Sequence, residues 1–525
     1  MRKDIRMKRL VNIELRRLCA SMQPRNLIRC ALFGSLFLFG RAAYSADATW
    51  RNTPANNNWN NPANWSTGSV PGDFDDATFD VSLIHDPEIT LNSFIDKIIF
   101  DQTADAFTIT ATPGVYLALG DGVANNSEVE QNFVAESNGG TSGHIIFNGG
   151  EVTGPVTFTI QARNSATGSA GFLQFGFAGP GSSTIHNLGA SVAGGAGGGT
   201  GFFFGNNSAE NSTIINDGAT AAGATGGNCG FAKDKPTAGN ATLIANGGSN
   251  GGGGGFFTFL NQSTGGTAQV ILFGNGYLDI SGHGREEMTI GSLEGDGVVY
   301  LGQNTLTVGG NGVSTYFAGQ LLPGDPNGGP GTGGLAKTSS ATLNLSGSSL
   351  YTAGTTVSDG TVIVSNTSGS ATGTGAVLVN AGTLAGGGTI AGPVTIGTGS
   401  GAGAFLAPAQ GGNKQLTLAI QSSVTLNADA TYTYTFKAKR NKARADLIVV
   451  NGVTINGATV NLSGQTQGSL NIGLTLTMIS NRSANPISGT FSNLPDGGIV
   501  SMNGNNLQAS YSGGDGNDLT LTVVP

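Results

Sequence analysis

A short repeat between Gly171 and Gly274 most constrains what this chain can fold into. Each copy has a Phe-rich apolar run, a polar turn, a β-branched run and a Gly-rich return. The first apolar residues of the β-branched runs lie 29, 29 and 27 residues apart: Ile185, Ile214, Leu243 and Val270. A unit this short cannot bury its own apolar face, so successive copies must stack on one another. The repeat therefore predicts a solenoid.

The residue types of the repeat favour strands over helices. Thr, Ile, Val, Phe and Gly are abundant, whereas the Leu, Glu, Lys and Arg that sustain helices are scarce. We therefore expect an all-β fold, a parallel β-helix (β-solenoid) of Gly-rich repeats of about 29 residues. Equivalent aromatic residues would then lie above one another, in an internal ladder of Phe172, Phe175, Phe202, Phe204, Phe231, Phe256 and Phe259.

The distribution of charge separates the first 46 residues from the rest. They hold ten of the 24 basic residues and two of the 32 acidic ones, so residues 47–525 carry a net charge of −16. A surface of this sign repels nucleic acid and anionic membranes. We therefore expect no nucleic-acid partner.

The N-terminus has the pattern of a secretory signal peptide over residues 1–45. A basic segment ends at Arg29, the apolar run 31–40 follows, and Ala43 and Ser45 are small residues at a cleavage site. Ten largely apolar residues are too few to span a bilayer. We therefore expect a secreted or cell-surface protein with no transmembrane segment in the mature chain. Whether translation begins at Met1 or Met22 is left open.

Two features follow the cleavage site. The tryptophans Trp50, Trp59 and Trp65 are expected to plug the open end of the solenoid core, with a carbohydrate platform as the alternative. The four acids of the next segment are expected to be solvated turn residues, since their spacing lacks the glycine and terminal Glu of an EF-hand loop: Asp73, Asp75, Asp76 and Asp80.

No catalytic, cofactor-binding or metal-ligating residue is predicted. The four histidines His85, His144, His186 and His283 are scattered, and no Cys/His metal spacing occurs. The serine pattern GxSxG occurs once, around Ser249, inside a Gly-rich return where no helix can follow, so we interpret it as a chance match.

The segment 333–366, GGLAKTSSATLNLSGSSLYTAGTTVSDGTVIVSN, resembles the bacterial autotransporter-associated β-strand repeat, also called the passenger-associated transport repeat. Segments from 240 to 302 and the ending YSGGDGNDLTLTVV are also similar to this family. The resemblance implies a right-handed parallel β-helix exported to the cell surface or medium, with no catalytic residues to transfer. The motif positions matched are Leu335, Lys337, Thr342, Leu343, Leu345, Gly347, Tyr351, Gly354, Thr355, Val357, Gly360, Thr361 and Val364.

Two sites near the C-terminus leave alternatives open. The run from Gly513 to Asp518 fits one calcium-binding nonapeptide, but a single copy cannot share calcium between turns, so an ordinary terminal turn is favoured. Five basic residues follow the alternating strand ATYTYTF. They are expected to form a solvated hairpin tip, with a docking point for acidic polysaccharide as the alternative: Lys437, Lys439, Arg440, Lys442 and Arg444.

Together these patterns predict four regions: a signal peptide (1–45), an N-terminal cap and first strands (46–135), Gly/Phe-rich solenoid repeats (136–334), and a C-terminal solenoid with the autotransporter-associated repeat and terminal strands (335–525). We expect an exported, non-enzymatic, adhesin-like structural or adhesive component, with extracellular polysaccharide or the cell envelope as partner. A polysaccharide-binding or polysaccharide-degrading β-helix is the alternative, because fold alone does not decide activity.

Overall fold

A computed structural model describes residues 46–203, 205–284, 287–401, 403–410 and 414–525. Residues Asp47 to Pro525 form one compact unit, and the predicted signal peptide lies outside the described residues. The unit is a β-solenoid of about 16 turns of about 27 residues, which confirms the predicted fold class. The boundaries at 136 and 335 stay predictions.

The strands belong to four sheets, and one short 3-10 turn, Pro62–Asn64, precedes most of them. The first sheet contains Ala48–Thr49, Asp76–Phe79, Ser93–Phe100, Tyr116–Asn125, His144–Phe147, Glu151–Thr153, Phe172–Phe175, Gly199–Phe203, Asn228–Ala232, Phe256–Phe259, Tyr277–Asp279, Val298–Tyr300 and Gln320–Leu322. The second sheet contains Glu88–Ile89, Thr108–Ala111, Gln131–Ala135, Val156–Ile160, Thr184–Asn187, Thr213–Asn216, Thr242–Ala245, Gln269–Leu272, Ser292–Gly295, Thr315–Phe317, Thr342–Leu345, Thr361–Val364, Gly382–Gly386, Ala404–Ala407, Ala430–Lys439, Lys442–Ala445 and Thr459–Gln467.

The third and fourth sheets cover the later part of the chain. The third contains Met288–Ile290, Thr305–Val308, Gly334–Lys337, Thr355–Val357, Val377–Val379, Val394–Ile396, Val424–Leu426 and Val453–Ile455. The fourth contains Thr389–Ile390, Thr417–Ile420, Leu447–Val450, Thr475–Asn481, Ile499–Met502, Asn505–Gly513 and Asp518–Val524. Within the part of the chain described, no helix has the length and apolar character of a membrane span.

The predicted stacking register is confirmed residue by residue. Ile185 pairs with Ile214, Ile214 with Leu243, and Leu243 with Val270, each in parallel with its equivalent one turn away. Burial alternates along these strands, and all four apolar residues are fully buried. Side chains in a strand alternate between faces, so every second residue of each coil enters the core.

An aromatic ladder fills the core under the first sheet, but its membership differs from the prediction. Successive rings lie 4.5 to 5.1 Å apart and nearly parallel, and the ladder includes Phe147, which the sequence did not predict. The prediction was wrong for Phe172 and Phe256, which stand on the outer face and are only half-buried, and Phe204 lies outside the described residues. The inner ladder is Phe147, Phe175, Phe202, Phe231 and Phe259.

A polar ladder that the sequence did not reveal is buried in the second sheet. The side-chain amide of Asn187 donates to the Oδ1 of Asn216, one turn away, at 2.7 Å. Asn187 also accepts from the hydroxyl of Thr200, and Asn216 donates to the carbonyl of Phe256. Both Asn side chains are fully buried, so these bonds replace the water they lose.

The Gly-rich returns are explained by close approach between turns. A Cβ on Gly197 would lie 2.0 Å from the carbonyl oxygen of Gly226, and one on Gly226 would lie 2.3 Å from that of Gly254. No side chain fits at these corners, because the backbones of consecutive turns touch there. The glycine content therefore follows from stacking.

The coils shorten after the first sheet ends at Leu322. Along the third sheet, Leu335, Thr355, Val377 and Val394 are successive equivalents, at steps of 20, 22 and 17 residues. The predicted period of about 29 residues therefore holds for the Phe-rich coils and not for the segment that carries the family-like repeat. These shorter turns lack the strand of the first sheet, which explains their length.

Candidate functional site

The hairpin formed by residues 430–445 collects basic side chains on one surface. Its two strands pair antiparallel, with Lys437 opposite Arg444 and Lys439 opposite Lys442. Residues directly opposite each other, and residues two apart along one strand, point to the same face of a sheet. The four side chains therefore share one face, at spacings of about 5 Å across the strands and about 7 Å along them. We call these four residues the basic face.

The basic face is open to solvent. Lys439, Lys442 and Arg444 are exposed and Lys437 is half-buried. Among the residues that the structure describes, no carboxylate lies within ion-pair distance of any of the four. The prediction of a hairpin tip before the strand Leu447–Val450 is confirmed by this geometry.

A third strand extends the hairpin on its other side. Thr459–Gln467 pairs in parallel with the first hairpin strand as far as its end. Gln465 lies in register with Lys437, and Gln467 with Lys439, so both amides belong to the same face as the cations. Both glutamines are exposed. The surface thus combines four cations with two neutral amides.

The opposite face of the hairpin is apolar and packed. Phe436 and Ala438 are buried in the core, on the same face of the strand as the buried Tyr432 and Tyr434. At the base, the fully buried carboxylate of Asp446 accepts three hydrogen bonds, from the Leu416 N–H at 2.9 Å and from the N–H and hydroxyl of Thr435 at 3.1 and 2.7 Å. These contacts hold the hairpin in a fixed orientation.

The tryptophans do not form a sugar platform. Trp50, Trp59 and Trp65 are at most 1% exposed and pack edge-to-face at 4.8 to 5.3 Å, next to Phe79. Carbohydrate binding by stacking needs an accessible ring face. The structure therefore agrees with the predicted core plug and excludes the carbohydrate alternative at this place.

The acidic segment after the tryptophans does not assemble a metal site. Asp75 is buried and accepts the N–H of Gly72 at 2.8 Å. Burial and the nearby carboxylate of Asp75 raise the pKa of Asp73. Throughout the described ranges, no group of three His, Cys, Asp or Glu side chains is placed to hold a metal ion.

Two sequence motifs occupy ordinary turns. Ser249 lies in a bend after the strand Thr242–Ala245, and Asn250 continues it with a φ of 51°, so no helix follows the serine. Gly513 pairs with Asp518 across an antiparallel hairpin, and a carboxylate oxygen of Asp518 accepts the N–H of Asn481 at 2.9 Å. Both observations agree with the turn interpretation of each motif.

Residues of the family-like motif serve the coil itself. Lys337 is buried and its Nζ donates to the carbonyls of Thr338 and, at 2.7 Å, of Ser339. Tyr351 is buried and its hydroxyl contacts that of Thr355 at 2.6 Å. Burial lowers the pKa of Lys337 and raises that of Tyr351. These residues stabilise a turn of the solenoid, and none of them faces an open site.

Neighbouring turns bring together titratable pairs that the sequence could not reveal. The imidazole of His186 donates to the carboxylate of Asp217 at 2.7 Å, and Asp217 also accepts from the amide of Asn246 at 3.0 Å. The hydrogen bond to Asp217 raises the pKa of His186 despite its burial. Within a single turn, the hydroxyl of Ser142 lies 3.2 Å from the imidazole of His144.

Two carboxylates, Glu151 and Glu210, lie on the turns before and after the one that contains Gly179. Glu210 accepts the N–H of Gly181 at 2.6 Å and lies against Gly179, which bridges to Glu151. Burial raises the pKa of Glu210, and the charge of Glu151 raises it further, although the Gly181 N–H acts in the opposite direction. Glycosidases use a carboxyl group of raised pKa together with a second carboxylate across the scissile bond, so these two residues are the candidates for such chemistry in this region.

The outer face of the first sheet carries a second aromatic row. His144 lies between Tyr116 and Phe172 at ring distances of 5.0 and 6.0 Å, and Phe256 stacks on Tyr277 at 4.8 Å. Two shallow surface hollows lie elsewhere on the solenoid. One of about 350 Å³ lies beside Asn240 and Asn311, and one of about 520 Å³ lies beside Arg482.

Comparisons with known proteins leave the family open. No protein-family profile and no curated protein matches the chain. Among solved structures, the crystal structure of the Haemophilus influenzae Hap adhesin is similar over 87% of this chain and 60% of its own length, at 11% sequence identity and a TM-score of 0.26. The chain thus spans less than two thirds of that protein, and a similarity of this size supports no argument about function.

Proposed function

We propose that this protein is an exported, non-enzymatic β-solenoid of the autotransporter-associated repeat family, and that it acts as a structural or adhesive component at the cell surface or outside the cell. The observation that supports this most is the solenoid itself. Its interior is filled by stacked side chains, so that its outer surface is the part available to a partner. Stacked repeats of this kind provide extended surfaces for contact with large partners.

The export of the protein rests on the N-terminal pattern, a basic segment, a ten-residue apolar run and small residues at 43 and 45. The polar character of the remaining chain, with 11% charged residues overall and abundant Thr, Asn and Gly, suits an extracellular β-surface.

Fractionation of the producing cells tests this proposal. We expect the protein in the medium or at the surface, where added protease removes it from intact cells. Beads coated with the purified protein should bind to extracellular matrix material, without release of new sugar ends. Protein confined to the cytoplasm would contradict the proposal.

A second candidate function is polysaccharide cleavage, for which Glu210, bonded to the N–H of Gly181, and Glu151, two turns away beyond Gly179, are the candidate carboxyl groups. Incubation with neutral and acidic polysaccharides, followed by an assay for new reducing ends, distinguishes the two. If cleavage occurs at this pair, Glu210→Gln should abolish it while leaving the melting temperature within a few degrees. Cleavage that Glu210→Gln does not change would place the activity elsewhere.

A further inference from the structure

Several cations elsewhere in the chain are bonded within the protein, and the basic face can be compared with them. Lys97 forms an ion pair with Asp121 at 2.6 Å. Arg51 donates to the carbonyl of Trp65 at 2.8 Å, and Arg163 donates to two backbone carbonyls. None of the four side chains of the basic face makes such a bond to another described residue.

The arrangement of the basic face opposes folding. Like charges directly opposite each other across a strand pair are destabilising. Two of the four cross-strand pairs of this hairpin, Lys437 with Arg444 and Lys439 with Lys442, are of that kind. Residues 47–525 contain 30 acidic side chains, so a carboxylate could have been placed opposite each cation, yet none is. A surface that reduces stability in this way is expected where it binds something outside the chain.

The basic face is also held rigidly. Its rear side packs through Phe436 and Ala438, its base is fixed by Asp446, and its edge is paired with the strand 459–467. A ligand that binds here does not have to order the backbone first, which lowers the entropy cost of binding.

We propose that the basic face binds an acidic polysaccharide. The carboxylate or sulfate groups of one sugar chain would bind to Lys437, Lys439, Lys442 and Arg444, and the guanidinium of Arg444 can bind an anion through two parallel hydrogen bonds. The amides of Gln465 and Gln467 can bond to sugar hydroxyls beside them. This inference deepens the proposed function, on which it rests for the extracellular setting.

The chemistry of the surface favours a polysaccharide over other polyanions. A nucleic acid presents a long array of phosphates to a protein, and the four cations of one hairpin can neutralise only a few of them. Membrane binding needs apolar or aromatic side chains next to the cations. The exposed face offers amides there instead.

The test uses the full-length protein and a variant in which all four cations are replaced, Lys437→Gln, Lys439→Gln, Lys442→Gln and Arg444→Gln. The matched control removes four exposed cations elsewhere, Lys233→Gln, Lys235→Gln, Lys414→Gln and Arg482→Gln, so that both variants have the same net charge. Binding is measured against polygalacturonate, neutral dextran, double-stranded DNA, and vesicles of phosphatidylcholine with phosphatidylserine.

We expect saturable binding of polygalacturonate that weakens with salt, no binding of dextran, and at least about a tenfold loss of affinity in the four-cation variant. The control variant should stay within about twofold of the original protein. Equal loss in both variants, or unchanged binding in the first, would overturn the proposal. Preference for DNA or for vesicles would overturn it as well, and would identify the other class of ligand.

If the four-cation variant does not fold, the pair Lys439→Gln and Lys442→Gln at the tip serves instead, and it should lose part of the affinity. A failure of this inference can be told apart from a failure of the proposed function. A protein found outside the cell that ignores polygalacturonate contradicts only this inference. A cytoplasmic protein that binds it through the basic face contradicts only the proposed location.

Discussion

In the coils between Phe147 and Phe259, each inward residue rests on an equivalent residue one turn away, whereas the basic hairpin places like charges opposite each other. The coils gain free energy from every repeat of the pattern, because each added turn buries apolar area and stacks another ring. The hairpin gains nothing from its four cations. The contrast separates residues that build the solenoid from residues that are available for a partner.

The largest loss of stability is expected when the inner aromatic ladder is interrupted. Phe231→Ala removes a fully buried ring that stacks on Phe202 at 4.8 Å and on Phe259 at 4.5 Å. The loss of buried area and the resulting cavity should cost about 3–5 kcal/mol. Thermal unfolding measures this. Phe256→Ala, on the half-buried outer face, is the control and should cost clearly less; equal losses would contradict the distinction between inner and outer rows.

A smaller effect is expected at the buried Asn ladder. Asn216→Ala leaves the amide of Asn187 and the carbonyl of Phe256 without their partners inside the core. Unpaired buried polar groups should reduce the unfolding free energy by about 1–3 kcal/mol. Asn240→Ala removes an exposed amide one turn further on and serves as the control. If the two variants unfold at the same temperature, the ladder does not contribute as the structure indicates.

The pair His186 and Asp217 should make a smaller contribution to stability, one that depends on pH. The pKa of His186 is raised in the folded state, so the stability gained from its protonation is present below about pH 6.5 and is lost as pH rises through the folded pKa. Both side chains are about one third exposed, so the effect should stay below about 1 kcal/mol. The difference in melting temperature between the original protein and His186→Gln should therefore shrink from pH 5.5 to pH 8.5.

The double variant His186→Gln with Asp217→Asn is the control for that titration. Above pH 5 its melting temperature should depend on pH in the same way as that of His186→Gln alone, because both variants lack the imidazole that is protonated in the original protein. A difference between the original protein and His186→Gln that does not change with pH would show that the pair contributes by packing rather than by charge.

The register of the coils could be predicted from the sequence because it depends on spacing alone. Ile185, Ile214, Leu243 and Val270 are the residues that pair in the structure. Spacing alone could not predict which aromatic side chains point into the core and which point to the outer face. In the strand Phe172–Phe175 the two Phe residues have opposite parity, and the point at which the strand begins decides which of them enters the core.

The basic face could be predicted only in part. The alternation of ATYTYTF places Tyr432, Tyr434 and Phe436 on one face, and the structure shows that this face is the buried one. Which cations share a face depends on the hairpin register, and the two-residue turn at 440–441, where Arg440 has a φ of 48°, sets that register. A turn that also included Lys442 would have placed Arg444 opposite Ala438, on the apolar side. The absence of a nearby carboxylate depends on folding and cannot be inferred from spacing.

The most direct measurement records the melting temperature and the polygalacturonate affinity of the four-cation variant together. Opposed like charges of this kind cost roughly a few tenths of a kcal/mol of unfolding free energy. Their removal should therefore leave the melting temperature unchanged or raise it slightly, while binding is lost. This result would show that the cations serve a partner and not the fold. A variant that melts several degrees lower and still binds would show the reverse, that the cations belong to the scaffold and that the binding surface lies elsewhere.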